Sequence, residues 1–215
     1  MNVIIENLPR FAEGFLMTLR LLVISGAGAL VIGTVVAAMR ISPIPALRGF
    51  AVVYTEAIRN TPLTLVLFFC ALVLPNLGVR LDFTTAALVG LTFYTSPFVA
   101  EALRSGINGI PVGQAEAARA LGMGFNQTVR LIVLPQAVRM VIPPLINVLI
   151  ALTKNTSVAA GFSVIELVAV SRQVIQQNGN ATIAILVAVA VFYLVITIPL
   201  GQVAAHLERR VMVNR

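Results

Sequence analysis

Few residues in this sequence can make or break bonds. Its 215 residues include one lysine, Lys154, one histidine, His206, one cysteine, Cys70, and one aspartate, Asp82. A Ser/His/Asp nucleophile set cannot be assembled from His206 and Asp82, which fall far apart, Asp82 in a turn between apolar runs. No cluster of Cys and His offers a metal site, and a lone cysteine excludes an internal disulfide. Cys70, inside Leu67-Phe68-Phe69-Cys70-Ala71-Leu72, reads as packing. Lys154 follows Leu152-Thr153 rather than a glycine-rich loop, so a P-loop is absent and nucleotide is not bound by that route. What remains is a set of polar side chains inside apolar runs. Glu56 and Arg59 stand at helical i, i+3 spacing, Glu101 and Glu166 are isolated, and Asn147 precedes Lys154-Asn155-Thr156-Ser157. Ionisable groups at such depth are costly unless paired or facing a cavity.

The elements that position these groups are membrane spans. At 59% hydrophobic and 11% charged, the chain is too apolar for a soluble domain of this size. Gly14 to Met39 predicts a first span, and the mixed charges of Glu6, Arg10 and Glu13 before it are not those of a signal peptide. Gly26, Gly28 and Gly33 give that span one face small enough for close packing. Ser42-Pro43-Ile44-Pro45 interrupts the chain, and the next span runs from Phe50 to Leu74. Its last 12 residues cannot cross alone, so its helix is expected to include the Glu56 to Thr61 turn. Phe83 to Leu103 predicts a third span, where Pro97 frees a carbonyl near Phe93. Glu101, at its inner end, is expected to contact Arg104 or the central loop. Leu145 to Ala160, after Pro143-Pro144, is the fourth and most polar span. Val164 to Gln177 is an amphipathic connection at the interface or dipping into the protein, and Ala181 to Gly201 is the fifth span.

The longest polar interruption, Arg104 to Arg139, stands at the centre. From Pro111 to Leu121 there are about 11 residues, a helix of roughly 16 Å that is too short to cross a bilayer. Gly122 supplies its stop. Ala115, Ala118 and Ala120 make a nearly flat face, and Glu116 and Arg119 can pair at the surface. Such a helix between two spans suits a cleft in a soluble partner. With this loop inside, Arg40, Arg48, Arg104, Arg119, Arg130, Arg139, Arg209, Arg210 and Arg215 are cytoplasmic, against Arg10, Arg20, Arg80 and Arg172 outside. The expected architecture is therefore all-α, a single domain over residues 1–215, with five transmembrane helices, the N-terminus outside and the C-terminus in the cytoplasm. The charge of +7 does not indicate nucleic acid, because no basic run forms a patch.

Glu116-Ala117-Ala118 with Gly122, Ile132 and Leu134-Pro135 resembles the EAA loop of ABC importer permeases. Arg59-Asn60-Thr61-Pro62-Leu63, Glu101-Ala102-Leu103-Arg104-Ser105-Gly106-Ile107, Gly113-Gln114, Leu134-Pro135-Gln136-Ala137-Val138-Arg139 and Lys154-Asn155-Thr156-Ser157 are similar to the polar amino acid branch of that family, most closely its glutamate/glutamine type. The resemblance implies a multi-pass subunit of a bacterial plasma (inner) membrane, with Ala115, Glu116, Ala117, Ala118, Arg119, Leu121 and Gly122 forming a helix that docks on a pair of ATPase subunits. ATP and magnesium would then be bound by those partners, with no cofactor on this chain. It also implies a second permease subunit, identical or homologous, and an extracytoplasmic binding protein that delivers the amino acid.

An amino acid crossing the membrane must have its hydration replaced by dipoles or charges. Arg59, Thr61, Ser96, Asn147, Thr153, Lys154 and Ser157 are the expected pathway residues, with Lys154 or Arg59 compensating a carboxylate. Lys154 has two other readings, snorkelling to the outer interface or pairing with Glu56 or Glu166. For Arg59, pairing with Glu56 is the favoured alternative, and His206 reads as an interfacial anchor. Broken spans with Glu56, Glu101 and Glu166 also suit an ion-coupled secondary carrier. A membrane enzyme lacks its catalytic groups, and a scaffold is the remaining rival.

Overall fold

Lipid offers no partner to a backbone N–H or C=O, so a chain this apolar satisfies its backbone within helices. The computed structural model describes residues 2–213 and shows helices throughout, with no strand among them. Arg215 lies outside the described residues, as does the side chain of Arg210. After a short helix, Asn2–Glu6, comes α1, Leu8–Arg40, which begins earlier than expected because Pro9 is accommodated in its first turn. α2 is Pro45–Arg59, and α3 is Leu63–Phe68, extended by a π-helical turn, Phe69–Val73, and by Leu74–Asn76. α4 is Phe83–Asn108 and α5 the short helix Val112–Ala120. α6, Leu134–Asn155, is preceded by Phe125–Gln127 and a second π turn, Thr128–Val133, and is continued by the 3-10 segment Thr156–Phe162. α7 is Leu167–Gln177 and α8 is Thr182–Val213.

Four helical stretches are long and apolar enough to cross a membrane, and a fifth crossing exists if the bent pair α2–α3 is one span. Here the structure corrects an expectation. The helix does not run through the Glu56 to Thr61 turn but bends by 102° between α2 and α3. Pro62 cannot donate to the ladder and disfavours helical backbone at Thr61, so α2 stops at Arg59. Pro143 and Pro144 act in the opposite way to that expected. They lie inside α6, whose helical run extends from Phe125 to Phe162. Two lost donors are cheaper than a whole unpaired turn in an apolar setting. The two π turns share one cause: each ends on the valine of the same string, Val73-Leu74-Pro75 and Val133-Leu134-Pro135. The widened turn relieves the clash of each proline ring with the carbonyl four residues earlier.

Because lipid is as apolar as leucine, helices here associate through close backbone approach rather than hydrophobic burial. A Cβ built on Gly33 of α1 would lie 2.7 Å from the Ser96 carbonyl oxygen and 2.6 Å from Val99 Cβ, both in α4. Gly28 likewise faces Thr92, whereas Gly26 faces Leu149 of α6, so the three glycines serve two neighbours rather than one face. α4 and α6 cross at Gly106, where an added Cβ would meet Val141 Cγ2 at 2.2 Å and Val141 Cα at 3.1 Å. Over half of the apolar stretch of α4 is buried within the chain, against 11% for α8, whose Ile183, Val187, Val191 and Val195 face outward. α1 and α4 are thus the axis and α8 the periphery. At the outer end of α4, Asp82 caps the helix through the Thr85 amide (3.0 Å) and hydroxyl (2.5 Å), which together hold its carboxyl below the usual range.

The amphipathic connection does turn back into the protein. Leu167, Val170 and Val174 of α7 are buried with Phe11 of α1 and Ile185 of α8. Arg10 secures its far end by donating to Gln173 (3.0 Å) and Gln177 (3.1 Å). Glu166 is fully buried, caps α7 through the Ala169 amide (2.9 Å), and accepts from Tyr193 of α8 at 3.0 Å. Glu166→Ala should therefore cost about 2–4 kcal/mol, since it removes a cap and takes away the carboxylate acceptor of the Tyr193 hydroxyl. The check is thermal unfolding in detergent, where Glu166→Gln, which retains an acceptor, should recover most of the loss.

Candidate coupling helix and solute groove

α5 is held at both ends by its own sequence. Pro111 stands as the N-cap. At the other end, the Gly122 amide donates to Arg119 O (2.9 Å) and the Met123 amide to Ala118 O (3.1 Å), with Gly122 at φ +84°. This is the paired closure of a Schellman cap, and it requires the left-handed backbone that glycine adopts without strain. The helix is seated by Ala118, only 4% exposed, which packs toward Thr128–Val133 with Ala115 half-buried beside it. The small-residue face expected to meet a partner is therefore split. Ala115 and Ala118 bring α5 onto its own chain, while Glu116, Ala117, Ala120 and Leu121 point away. Glu116 and Arg119 do not form the expected pair. The Arg119 guanidinium donates to Ala115 O (3.3 Å), and all three ion pairs among the described residues converge on Glu101. Gln136 braces the arrangement by donating to the Gln114 side chain and to Ile132 O. On the uncovered side, Val112, Leu121 and Phe125 are 71%, 84% and 82% exposed.

A groove of about 430 Å³ opens between α4 and α6, within the roughly 300–1,000 Å³ of small-molecule sites. Tyr94, Thr95 and Phe98 form one wall, and Asn147, Ala151 and Asn155 the polar stripe of the other. The asparagines and Ala151 are spaced i, i+4, i+8 and so share one face of α6. The Thr95 hydroxyl is buried in this wall without a hydrogen-bond partner among the described residues.

Of the seven expected pathway residues, Asn147 lines this groove. Arg59 stands next to it, its guanidinium 5.7 Å from the centre of the Phe98 ring. Ser96 is fully buried and serves the backbone beside Pro97. Its hydroxyl shares a hydrogen bond of 2.6 Å with that of Tyr54, and the two lie within reach of the Phe93 carbonyl that Pro97 leaves free, at 3.1 and 3.2 Å, so one donates to the carbonyl and the other to its neighbour. Thr153 is fully buried and donates to Leu149 O (2.8 Å), and Ser157 donates to Lys154 O (2.7 Å). Thr61 sits in the α2–α3 break and donates to Ala57 O. Lys154 is exposed and pairs with neither Glu56 nor Glu166. Arg59 does not pair with Glu56, which accepts from the Asn60 side chain. It lies 3.7 Å from Glu101. Glu101 also accepts from Arg104, as expected, and from Arg40 at 2.7 Å. Thr95 was not expected. The proline drew attention to its neighbour Ser96, which lies about 100° around the helix and points to α2 instead.

The model of the family described as binding-protein-dependent transport system inner membrane component matches residues 29–213. The chain belongs to that family. It is thus an ABC transporter permease subunit, a multi-pass inner membrane protein and not itself an enzyme. This permease is 42% identical to the glutamate transport system permease protein GluC of Corynebacterium efficiens, with 96% of each chain covered. It is 40% identical to the probable glutamine ABC transporter permease protein GlnM of Bacillus subtilis, covering 97% of this permease and 96% of the relative. The crystal structure of an amino acid ABC transporter with histidines is similar to it with a TM-score of 0.88 at 29% identity, covering 96% of each chain.

Proposed function

We propose that this permease subunit belongs to an ABC importer that moves a polar amino acid, glutamate or a close relative, into the cytoplasm. ATP is hydrolysed on a separate pair of subunits that also bind magnesium, and their closure pushes α5. A second permease subunit completes the pathway, and an extracytoplasmic binding protein presents the amino acid at the outer face. The observation that carries this reading is the uncovered side of α5. A nine-residue helix, mounted between α4 and α6, leaves Glu116, Ala117, Ala120 and Leu121 open in a chain with no phosphate-binding loop. Exposed apolar patches beside polar residues are what a protein partner covers.

Single cysteines at Ala117 or Leu121 test the partnership, with a low background because the native Cys70 is buried. Cross-linking should capture the ATPase subunit. Capture of lipid or of this chain's own loops, with uptake intact, defeats the reading.

The groove supplies the path for the amino acid, with Asn147 and Asn155 offering donors and acceptors and Arg59 facing a carboxylate. Asn147→Ala combined with Asn155→Ala should raise the KM of radiolabelled L-glutamate uptake at least about thirtyfold, each lost hydrogen bond contributing roughly 1 kcal/mol or more. Lys154→Ala and Lys154→Arg belong in the same assay, and unchanged KM in both removes Lys154 from the path. An ion-coupled carrier fits less well. Glu101 is clasped by arginines and Glu166 is walled off by Thr18 and Tyr193, so neither faces the groove as a free proton site.

A further inference from the structure

One carboxylate is set against three guanidiniums at the inner end of the groove. Glu101 Oε1 accepts from Arg104, whose Nε lies at 3.2 Å, and Oε2 accepts from Arg40 at 2.7 Å. Both oxygens are thereby engaged. Arg59, arriving from α2, comes no closer to Oε2 than 3.7 Å, beyond hydrogen-bond distance, and its side chain is 37% exposed against 14% for Arg40. The cluster carries a surplus of two positive charges, and Arg59 is its least committed member. Arg59 is also the member that stands over Phe98, a wall of the groove.

We propose that Glu101 is a built-in competitor for the carboxylate of the passing amino acid, and that Arg59 changes hands between them. This rests on the reading that the solute moves through the α4–α6 groove. A carboxylate arriving beside Phe98 offers Arg59 the two-pronged contact that Glu101, already occupied by Arg40 and Arg104, does not. The fit selects solutes with a free carboxylate. When Glu101 takes Arg59 back, the solute loses its partner and leaves. The competitor thus keeps the site from becoming a trap, since a surplus of fixed positive charge in a partly dry groove would otherwise retain an anion.

The test is equilibrium binding to the permease assembled with its ATPase in lipid nanodiscs, without the binding protein. The probes are L-glutamate and its diamide, which has no carboxylate. Glu101→Gln should tighten L-glutamate up to about fivefold, the upper end for one partly exposed ion pair, slow its release, and leave the diamide unchanged. Glu101→Asp, whose shorter side chain keeps its own-helix partner Arg104 but withdraws from Arg59, should move in the same direction by about threefold. It provides the answer if the glutamine variant does not assemble. Arg59→Gln should abolish the gain when combined with either change. Unchanged glutamate affinity, or equal tightening of both probes, overturns the competitor. If Asn147→Ala still weakens glutamate in that case, the groove stands without it. Glutamate binding indifferent to Asn147, Asn155 and Arg59 overturns both.

Discussion

Gly122→Val is expected to reduce substrate-stimulated ATP hydrolysis by the assembled transporter at least tenfold while the permease still inserts, purifies and unfolds at its normal temperature. The residue sits at φ +84°, and a Cβ placed there meets no atom within 4 Å, so any effect comes from backbone strain rather than from a clash. A β-branched residue in that conformation costs about 1–2 kcal/mol or more. The chain escapes the strain by opening the cap, which releases the Arg119 and Ala118 carbonyls from Gly122 and Met123. Leu121 and the last turn of α5 then lose their fixed position, and a push delivered to α5 is dissipated in a floppy end. Gly113→Ala is the matched control. Gly113 is also exposed, with nothing within 4 Å and no positive φ, and it should leave coupling unchanged. Wild-type stimulation in Gly122→Val would remove the mechanical role of α5, and a lowered unfolding temperature would show that the cap serves the fold instead.

Gly33→Ala should produce the largest loss of stability among single-methyl additions in the membrane part. Its Cβ would sit 2.7 Å from the Ser96 carbonyl oxygen, a backbone atom that no rotamer change can move, and 2.6 Å from Val99 Cβ. Overpacking of this kind costs about 1–3 kcal/mol. The upper end applies here because α1 and α4 are both long and must separate as units. In a protein of this size that corresponds to roughly 4–10 °C in thermal unfolding. Gly28→Ala is the comparison within the same helix pair. Its nearest atom, at 2.8 Å, is the Thr92 methyl, which can rotate away, so its loss should be less than half as large. Equal loss in the two variants would mean that the α1–α4 contact is softer than its backbone geometry implies.

Much of this architecture was legible in the sequence, because apolar length, proline position and the placement of arginines are read along the chain without knowing what touches what. The freed Phe93 carbonyl follows from Pro97, and the end of α5 follows from Gly122. The misreadings have a common origin, which is direction around a helix. Ala118 and Ala120 are both small, and nothing in the string says that Ala118 faces inward and Ala120 outward. Ser96 and Thr95 are adjacent hydroxyls, and only the packing of α2 against α4 decides which one is consumed by the Phe93 carbonyl that Pro97 frees. Pro62 and Pro143-Pro144 were given opposite outcomes from those observed. A proline's effect on its own ladder is local, but whether the helix resumes straight or at 102° is set by neighbours. The choice of Glu101 over Glu56 as partner of Arg59 is likewise a tertiary fact, since it depends on the inner ends of α1 and α4 and the C-terminal end of α2 meeting at one point.

The close crossing of Gly106 and Val141 gives the two helices that flank α5 a common fulcrum. Seen from Val141, Leu134 lies seven residues toward the cytoplasm and Asn155 fourteen residues the other way, arms of about 10 and 21 Å at 1.5 Å per residue. Rods that pivot at a rivet swing in opposite senses on its two sides. A 1 Å squeeze at the short arm would therefore narrow the far blades by about 2 Å, so the gap between Phe98 and Asn155 would close as scissors close when their handles are brought together.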